Sequence, residues 1–363
     1  MVGWRWFLLT SFVSSLVGCG RTDLVRYSPE RPDASIDAGS GVDAGRDAGV
    51  DAGIDAGCPD RPVPMTPAVP MVMFVIDRSG SMLEDLDGNV DAGQLTRWEV
   101  LDRSLSAVLP PLDRRIATGL VMFPHDSISC GFSTTVEISP AVGNVAAVQS
   151  RMRLSNVAGG TPTADAIDVA TQHLLGLTTA TSARALVLAT DGAPNCNTAL
   201  DVSTCTCTTP PVSFPNCDDV GQCLDDLRTI SSINLAFQDT QIPTYVIGLG
   251  SGLNPFRSTL DRMAIAGGVP RPGIGDRYYS ASSQTELDDA FTRITAQLTR
   301  CTYLVTGVGR DEVLTVRVDG RDVPEGPTGW EWLDRPRGEL VLHGLTCDRV
   351  AMGSDAEAFI ACP

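Results

Sequence analysis

The chain has 363 residues, of which 43% are hydrophobic and 6% aromatic, a composition typical of globular proteins with a sizeable core. Its formal net charge is −17, and its basic residues form no stripe along the sequence. Nucleic acid is therefore excluded as a partner, because a duplex would repel this chain.

The N-terminus has the pattern of an export signal. Arg5 supplies a minimal positive region, and the apolar run from Phe7 to Val17 is too short to span a bilayer. The run ends in Leu16-Val17-Gly18-Cys19, which resembles the lipobox of bacterial lipoproteins. An ordinary secretory signal or a short buried helix is the alternative.

The lipobox resemblance has two implications. Residues 1–19 are then a lipoprotein signal peptide, and Cys19 becomes the lipidated first residue of the mature chain. Because Gly20 rather than an aspartate follows Cys19, the resemblance also implies passage to the outer membrane. The lipid anchor would be the only contact of the chain with a membrane.

A repetitive acidic segment follows the signal. The triplet Asp-Ala-Gly recurs at 43–45, 47–49, 51–53 and 55–57. Such a tract has little apolar surface to bury, and its like charges keep it extended. We predict a disordered tether over residues 20–70, which would hold the folded part of the chain away from the membrane.

Cysteine usage agrees with export. The chain has 11 cysteines, and an even number remains when Cys19 is set aside. In an exported protein this pattern predicts disulfides, although the sequence does not give their connectivity. We expect Cys58 to pair with Cys301, since both flank the same βα unit. A zinc site between 196 and 223 is the alternative, disfavoured by the Cys205-Thr-Cys207 spacing and the lack of a nearby histidine.

From Met71 onward, apolar runs alternate with stretches of helical spacing. Strands are predicted at 71–76, 116–123, 134–138, 185–189, 244–248 and 278–280. Helices are predicted at 95–109, 143–154, 163–176, 221–237, 256–266 and 284–299. This alternation favours βα crossovers, and so an α/β domain over 71–300 with a doubly wound, mostly parallel central sheet flanked by helices.

The pattern changes after Cys301. Leu314 to Val318 alternates apolar and polar residues, Asp319-Gly320 is typical of a hairpin turn, and 339–343 predicts another strand. We predict a small C-terminal β-rich module over 301–363, held by Cys347 and Cys362.

Three polar loops lie at strand ends of the predicted sheet or in the connections between its elements. Asp77-Arg78-Ser79-Gly80-Ser81 has the form DxSxS and directly follows a buried strand. Gly159-Gly160-Thr161-Pro162-Thr163 and Ala189-Thr190-Asp191-Gly192 form the other two. Ligands of doubly wound sheets bind at the carboxyl ends of the strands. Over roughly 70–300 the chain resembles the von Willebrand factor A family, whose metal-ion-dependent adhesion site is built from these loops.

The resemblance implies a divalent metal site. Its hydroxyl ligands would be Ser79, Ser81 and Thr161, while Asp77 and Asp191 would supply charge, often through water. Hard cations prefer such oxygen ligands; Mg²⁺ is expected, with Mn²⁺ or Ca²⁺ as alternatives. One coordination position would stay open for a carboxylate from a protein partner. Thr163 is expected to act as the N-cap of the following helix.

Two further signals are weaker. The segment from Asp85 to Asp91 alternates oxygen-bearing residues as calcium loops do, but its glycine position differs and no glutamate ends it. A solvated insertion is the favoured interpretation. His125, His173 and His343 are scattered and are not expected to be metal ligands.

These observations favour a binding module over an enzyme. No Ser/His/Asp or Cys/His set, GxSxG turn or phosphate-binding glycine loop is evident. We therefore predict a metal-dependent, adhesion-type protein-binding module on a cell-surface or periplasmic lipoprotein. A structural envelope protein in which the metal only stabilises the fold is the alternative. A metal-dependent hydrolase with Asp191 as base is a second, disfavoured alternative.

Overall fold

The computed structural model describes residues 59–361, apart from 91–92, 126–129, 178–182, 210–215 and 251–255. The predicted signal peptide, the lipidation site Cys19, the Asp-Ala-Gly repeats, Cys58 and Cys362 lie outside the described residues. Within the described part, no helix is both long enough and apolar enough to cross a bilayer.

The described chain opens with two short strands, β1 (Arg61–Val63) and β2 (Met65–Pro67). Both lie inside the segment 20–70 that we predicted to be a disordered tether, so this prediction is wrong at its C-terminal end. The sequence pattern did not predict these strands because prolines at 62, 64 and 67 argue against a strand. Proline is tolerated mainly in edge strands, which β1 and β2 are.

The central sheet has six strands in the order β5-β4-β3-β6-β7-β8. They are β3 (Met71–Asp77), β4 (Ala117–Phe123), β5 (Ile138–Ala141), β6 (Arg184–Thr190), β7 (Thr244–Leu249) and β8 (Tyr279–Ala281). All neighbours pair in parallel except β4 and β5. β3 and β4 are buried along their whole length, as expected for strands covered on both faces.

The edge strand β5 is displaced from its prediction at 134–138. It begins at Ile138 and contains Pro140, which an edge strand accommodates. Gly119 on the neighbouring β4 leaves the necessary room, because a Cβ there would lie 2.7 Å from Cγ of Pro140. The antiparallel edge is therefore built around a proline that the alternation pattern did not indicate.

Helices cover both faces of this sheet. They are α1 (Arg97–Val108), α2 (Val145–Arg153), α3 (Thr163–Gly176), α4 (Asp226–Thr240), α5 (Arg257–Ala266) and α6 (Gln284–Arg300). Helices α1, α2 and α6 pack on the face that carries Phe74 and Ile76, whereas α3, α4 and α5 pack on the face of Met73 and Val75. The predicted doubly wound α/β fold is confirmed.

Helix α4 starts five residues later than predicted. Cys223 is bonded to Cys205 and pairs with Cys207 in a short antiparallel bridge, which holds it in an extended conformation. This disulfide therefore delays the helix, and no residue near 221 signals the delay.

The C-terminal module consists of two antiparallel four-stranded sheets, β1-β14-β10-β11 and β12-β13-β9-β2. Its elements are β9 (Thr302–Val305), β10 (Leu314–Val318), β11 (Arg321–Val323), β12 (Trp330–Asp334), β13 (Glu339–Leu342), α7 (Gly344–Ala351) and β14 (Ala356–Ile360). The hairpin at Asp319-Gly320 is confirmed, with φ of 51° and 72°. Since β1 and β2 each complete an edge, the β-rich module begins before the α/β domain in sequence.

The expected Cys58–Cys301 pair is wrong, because Cys301 is bonded to Cys347. Cys301 ends α6 and Cys347 lies on α7, so this disulfide joins the last helix of the α/β domain to the β-rich module. The sequence carried no information on this pairing, since the two residues meet only through tertiary packing.

The contribution of β1 is testable in the full chain. Val63 is 7% exposed and packs in the core of the β-rich module. Val63→Ala should lower the free energy of unfolding by about 1–2 kcal/mol, the value of two buried methyl groups. Denaturant unfolding followed by tryptophan fluorescence measures this. Val50→Ala in the repeats is the matched control, and equal stabilities of the two variants would contradict the strand assignment.

Candidate metal centre

Two aspartates lie side by side at the carboxyl edge of the sheet. Asp77 ends β3, and Asp191 follows directly after Thr190, the last residue of β6. The two strands are parallel neighbours, with Ile76 opposite Ala189. The topology therefore places both carboxylates on one edge, as the sequence predicted.

Asp77 is fully buried and fixes the first loop. Its Oδ1 accepts a hydrogen bond from the backbone N–H of Ser79 at 2.8 Å, and its Oδ2 accepts one from the Thr190 hydroxyl at 2.6 Å. The first bond turns the chain back immediately after β3, so that the Ser79 and Ser81 hydroxyls face the same edge. The sequence motif Ala189-Thr190-Asp191-Gly192 indicates no role for Thr190. In the structure, its hydroxyl orients Asp77.

Hydrogen bonds join the two serines to the second aspartate. The Oγ atoms of Ser79 and Ser81 are 3.1 Å apart, and the Ser81 hydroxyl donates to Oδ1 of Asp191 at 2.9 Å. Four of the five predicted ligand residues thus form one connected group: Asp77, Ser79, Ser81 and Asp191.

Thr161, the fifth, reaches the site through backbone contacts. Gly80 N–H donates to the Gly159 carbonyl at 3.0 Å, and Ala158 N–H donates to the Arg78 carbonyl at 2.9 Å. These bonds hold the second loop against the first. The Thr161 hydroxyl is not a member of the hydrogen-bonded group, although the residue is only 5% exposed.

The expected N-cap role of Thr163 is wrong. Thr163 is the first residue of α3, Pro162 stands at the cap position, and no side chain caps this helix. The Thr163 hydroxyl instead donates to the Thr161 carbonyl at 3.4 Å. Its effect is on the shape of the second loop.

A third segment clamps that loop from outside. Thr161 N–H donates to Oδ1 of Asn195 at 2.7 Å, and Asn195 N–H donates to the Thr161 carbonyl at 2.9 Å. The Cys130–Cys196 disulfide packs beside them: a Cβ on Gly160 would lie 2.5 Å from Sγ of Cys196. Glycine is therefore required at 160, and the disulfide belongs to the scaffold of the site.

Two more disulfides close the cysteine-rich loop, Cys205–Cys223 and Cys207–Cys217. The sulfurs of Cys205, Cys217 and Cys223 lie within 4.8 Å of one another, a spacing that also suits a metal. Zinc requires free thiolates, however, and all three sulfurs are in disulfides, Cys205 with Cys223 and Cys217 with Cys207. The disulfide prediction is confirmed for the described cysteines, and the zinc alternative is excluded.

The disulfides should differ in their contribution to stability. Cys130–Cys196 spans 66 residues and Cys207–Cys217 spans 10. Replacing the first pair by serines should lower the free energy of unfolding by about 3–4 kcal/mol. Replacing the second pair should lower it by less, because the unfolded chain gains more entropy when a longer loop is opened. Urea unfolding of both double variants tests this, and a reversed order would contradict it.

The site concentrates buried negative charge. Burial, and then repulsion from Asp191, raise the pKa of Asp77 from 3.8 to about 7. Burial also raises the pKa of Asp191, although the Arg97 guanidinium, 2.8 Å from Oδ2, opposes the rise. Two buried carboxyl groups with the hydroxyls of Thr190 and Ser81 beside them fit a hard divalent cation, which would relieve their repulsion.

The weaker sequence signals lie outside this group. Asp85 is 3% exposed, so the prediction of a solvated insertion is wrong for this residue. Its Oδ1 accepts hydrogen bonds from the N–H groups of Asp87 and Asn89, which makes it a turn-forming residue, while Asp91 lies outside the described residues. His125 is exposed, His173 is 2.9 Å from the Ser139 hydroxyl, and His343 lies in the β-rich module.

Comparison with known proteins gives a family match for this region. Residues 72–193 match the sequence model of the von Willebrand factor type A domain. The match includes all three loops of the site. Over these residues the chain is thus similar to the von Willebrand factor type A domain. Among curated proteins, none matches the chain.

Solved structures with partial similarity were also found. The PilB minor pilin of Streptococcus sanguinis is 21% identical, with a TM-score of 0.44 over 64% of this chain and 62% of the pilin. The pilus adhesin SpaC of Lactobacillus rhamnosus GG is 15% identical, with a TM-score of 0.44 over 81% and 39%. Manganese-loaded Plasmodium vivax TRAP is 16% identical, with a TM-score of 0.38 over 64% and 76%. This chain thus spans less than two thirds of the pilin and of the adhesin.

Proposed function

We propose that this chain, through its von Willebrand factor type A domain, binds a divalent cation and uses it to bind a protein partner. The observation that carries the proposal is the hydrogen-bonded group of Asp77, Ser79, Ser81 and Asp191 at the carboxyl edge of the sheet. Burial raises the pKa of both carboxyl groups there, and repulsion from Asp191 adds to the rise at Asp77, so a cation would compensate their charge.

In this proposal Ser79, Ser81 and Thr161 are hydroxyl ligands, while Asp77 and Asp191 balance the charge. The set of hydroxyl and carboxylate oxygens favours Mg²⁺, with Mn²⁺ and Ca²⁺ as alternatives. A bound cation supplies a Lewis-acidic position that accepts a carboxylate from the partner. The chain's own contribution is a rigid cradle, since the serine loop, the Thr161 loop and the disulfide-bonded segment are hydrogen-bonded to one another.

The cellular setting is part of the proposal. The lipobox-like Leu16-Val17-Gly18-Cys19 supports a location in the bacterial envelope, with a lipid anchor at Cys19. The disulfides of the described part agree with an oxidising compartment. The segment between Cys19 and the first strand would serve as a tether, and the anchor would lie in the outer membrane.

We propose binding rather than catalysis. Asp191, the candidate general base, has both oxygens engaged: Oδ1 by the Ser81 hydroxyl and Oδ2 by Arg97. A base held in this way is poorly placed to take a proton from a substrate.

Water relaxation with Mn²⁺ tests both the site and its open position. Mn²⁺ bound to the metal-free protein with an exchangeable water should raise the water proton relaxation rate, and acetate should lower it by displacing that water. The Ser79→Ala, Ser81→Ala double variant should lose this signal, and Ser150→Ala, an exposed serine on α2, should keep it.

Two results would redirect the proposal. Enhanced relaxation that acetate does not change would indicate a closed site, which favours the structural alternative. Equal Mn²⁺ binding by the double variant and the wild type would contradict the ligand assignment.

A further inference from the structure

A buried arginine lies behind the candidate metal site. Arg97 is the first residue of α1, is 4% exposed, and follows Thr96, which caps the helix. Its backbone N–H donates to the Glu84 carbonyl at 2.8 Å. The position of the guanidinium is therefore set by the backbone of α1 and of the loop that contains the serines.

One nitrogen of this guanidinium makes three contacts. Arg97 Nη1 is 2.8 Å from Oδ2 of Asp191, 3.1 Å from the Ser81 carbonyl and 3.1 Å from Oε2 of Glu84. Asp191 is consequently shared, with Oδ2 facing Arg97 and Oδ1 facing the Ser81 hydroxyl. Arg97 thus contacts two of the five candidate ligand residues.

Two glycines leave space for the guanidinium. Gly250 has a φ of +98°, and a Cβ there would lie 2.9 Å from Nε of Arg97. A Cβ on Gly88 would lie 3.4 Å from Nη2. A larger residue at 250 would displace the guanidinium, whereas one at 88 would touch it at van der Waals distance, so the loop that contains Gly250 leaves room for an arginine here.

Other charges near the site are arranged differently. Arg78, next to Asp77, donates from Nη1 to the Asn156 carbonyl at 3.0 Å. Glu84 is partly exposed and shares Nη1 of Arg97 with Asp191. Arg97 thus pairs directly with a carboxylate of the site.

We propose that Arg97 is a positioning residue that neutralises one carboxylate of the metal site, weakening cation binding while preserving attraction for an anionic partner. This inference rests on the proposed function. Removing the positive charge should strengthen cation binding, because it leaves the charge of Asp191 uncompensated. It should also weaken anion binding to the loaded site, because the site becomes more negative.

The two opposite shifts distinguish this role from a purely structural one. Loss of a structural arginine would loosen the site and weaken both Mn²⁺ and acetate binding. For Arg97→Gln we expect Mn²⁺ to bind about tenfold more tightly, the order expected for one nearby unit charge. Acetate should bind several-fold more weakly to the Mn²⁺-loaded variant. Arg97→Lys keeps the charge and should stay close to wild type in both.

The experiment is a Mn²⁺ titration of the full chain, followed by an acetate titration, both by water relaxation. Arg103→Gln is the matched control, since Arg103 is an exposed arginine on the same helix. Glu84→Gln alters a partly exposed side chain and should fold. It should shift both affinities in the direction opposite to Arg97→Gln.

Weaker Mn²⁺ binding in Arg97→Gln, or the same shift in Arg97→Gln and Arg103→Gln, would overturn the inference. If Arg97→Gln does not fold, an unchanged Mn²⁺ affinity in Glu84→Gln would overturn it. If the wild type binds no Mn²⁺, the proposed function fails. Saturable binding gained in Arg97→Gln would then still support the charge-neutralising role, and no binding there would overturn it.

Discussion

Asp77→Asn is expected to abolish saturable Mg²⁺ binding and, at the same time, to stabilise the metal-free protein at pH 8. Asp77 is fully buried beside Asp191, and its pKa is raised to about 7. Ionising it in the folded state therefore costs free energy that a neutral amide of the same shape avoids. We expect a gain of about 2–4 kcal/mol in the free energy of unfolding, from 1.36 kcal/mol per pKa unit. The loss of metal affinity should be about 100-fold or more.

Asp225→Asn is the matched control for this variant. Asp225 is also buried, but it is 2.8 Å from Arg228 and accepts a hydrogen bond from Asn197. Asp225→Asn removes this ion pair, but Arg228 is partly exposed and keeps its pair with Asp165, so the variant should destabilise the protein modestly. Thermal denaturation in a chelator compares the two. If both variants lose stability, Asp77 is an ordinary buried polar residue and not half of a strained acidic pair.

The metal-free protein should lose stability as the pH rises from about 4 to 8. The folded-state pKa of Asp77, about 7, lies above the model value of 3.8, so the folded protein retains a proton in this range that the unfolded chain releases. The free energy of unfolding is then highest below the unfolded pKa and falls as the pH rises through 7. The full contribution is about 4 kcal/mol.

The comparison with Asp77→Asn isolates this effect. The charges that face Asp77 and its neighbour Asp191 are those of Arg97 and Glu84, and all of them are retained in the variant. The wild type minus variant difference in unfolding free energy should therefore approach zero near pH 4, grow in magnitude between pH 4 and 7, and level off above pH 7. Saturating Mg²⁺ should reduce this difference, because it binds to the wild type and stabilises it. A pH-independent difference would contradict the raised pKa.

The central sheet was predictable because its signals are local. The apolar run at 71–76 and the run at 185–189 each identify a buried strand, and each is followed at once by a polar loop. In a parallel sheet the carboxyl ends of the strands share one edge, so the sequence alone predicts that Asp77 and Asp191 lie close together. Alternation at Leu314–Val318 located β10 for the same reason.

The remaining features depend on contacts between distant residues. Val63 pairs opposite Ala358, and Cys301 is bonded to Cys347, neither of which a local pattern indicates. The sequence did not indicate a role for Arg97, because an arginine at the start of a helix is usually solvated. Only packing against Gly250 and Asp191 shows that it is buried and paired. The prediction of a tether was wrong at its C-terminal end because three prolines interrupt the strand pattern of β1 and β2.

The most direct test of the metal site is calorimetric titration of Mg²⁺ into the metal-free protein and into Asp77→Ala. We predict saturable binding by the wild type and none by the variant. Circular dichroism should be unchanged, because the Asp77 carboxylate orders the loop after β3 and not the strand itself. Binding of equal affinity in both proteins, or in neither, would contradict the assignment of the site to Asp77, Ser79, Ser81, Thr161 and Asp191.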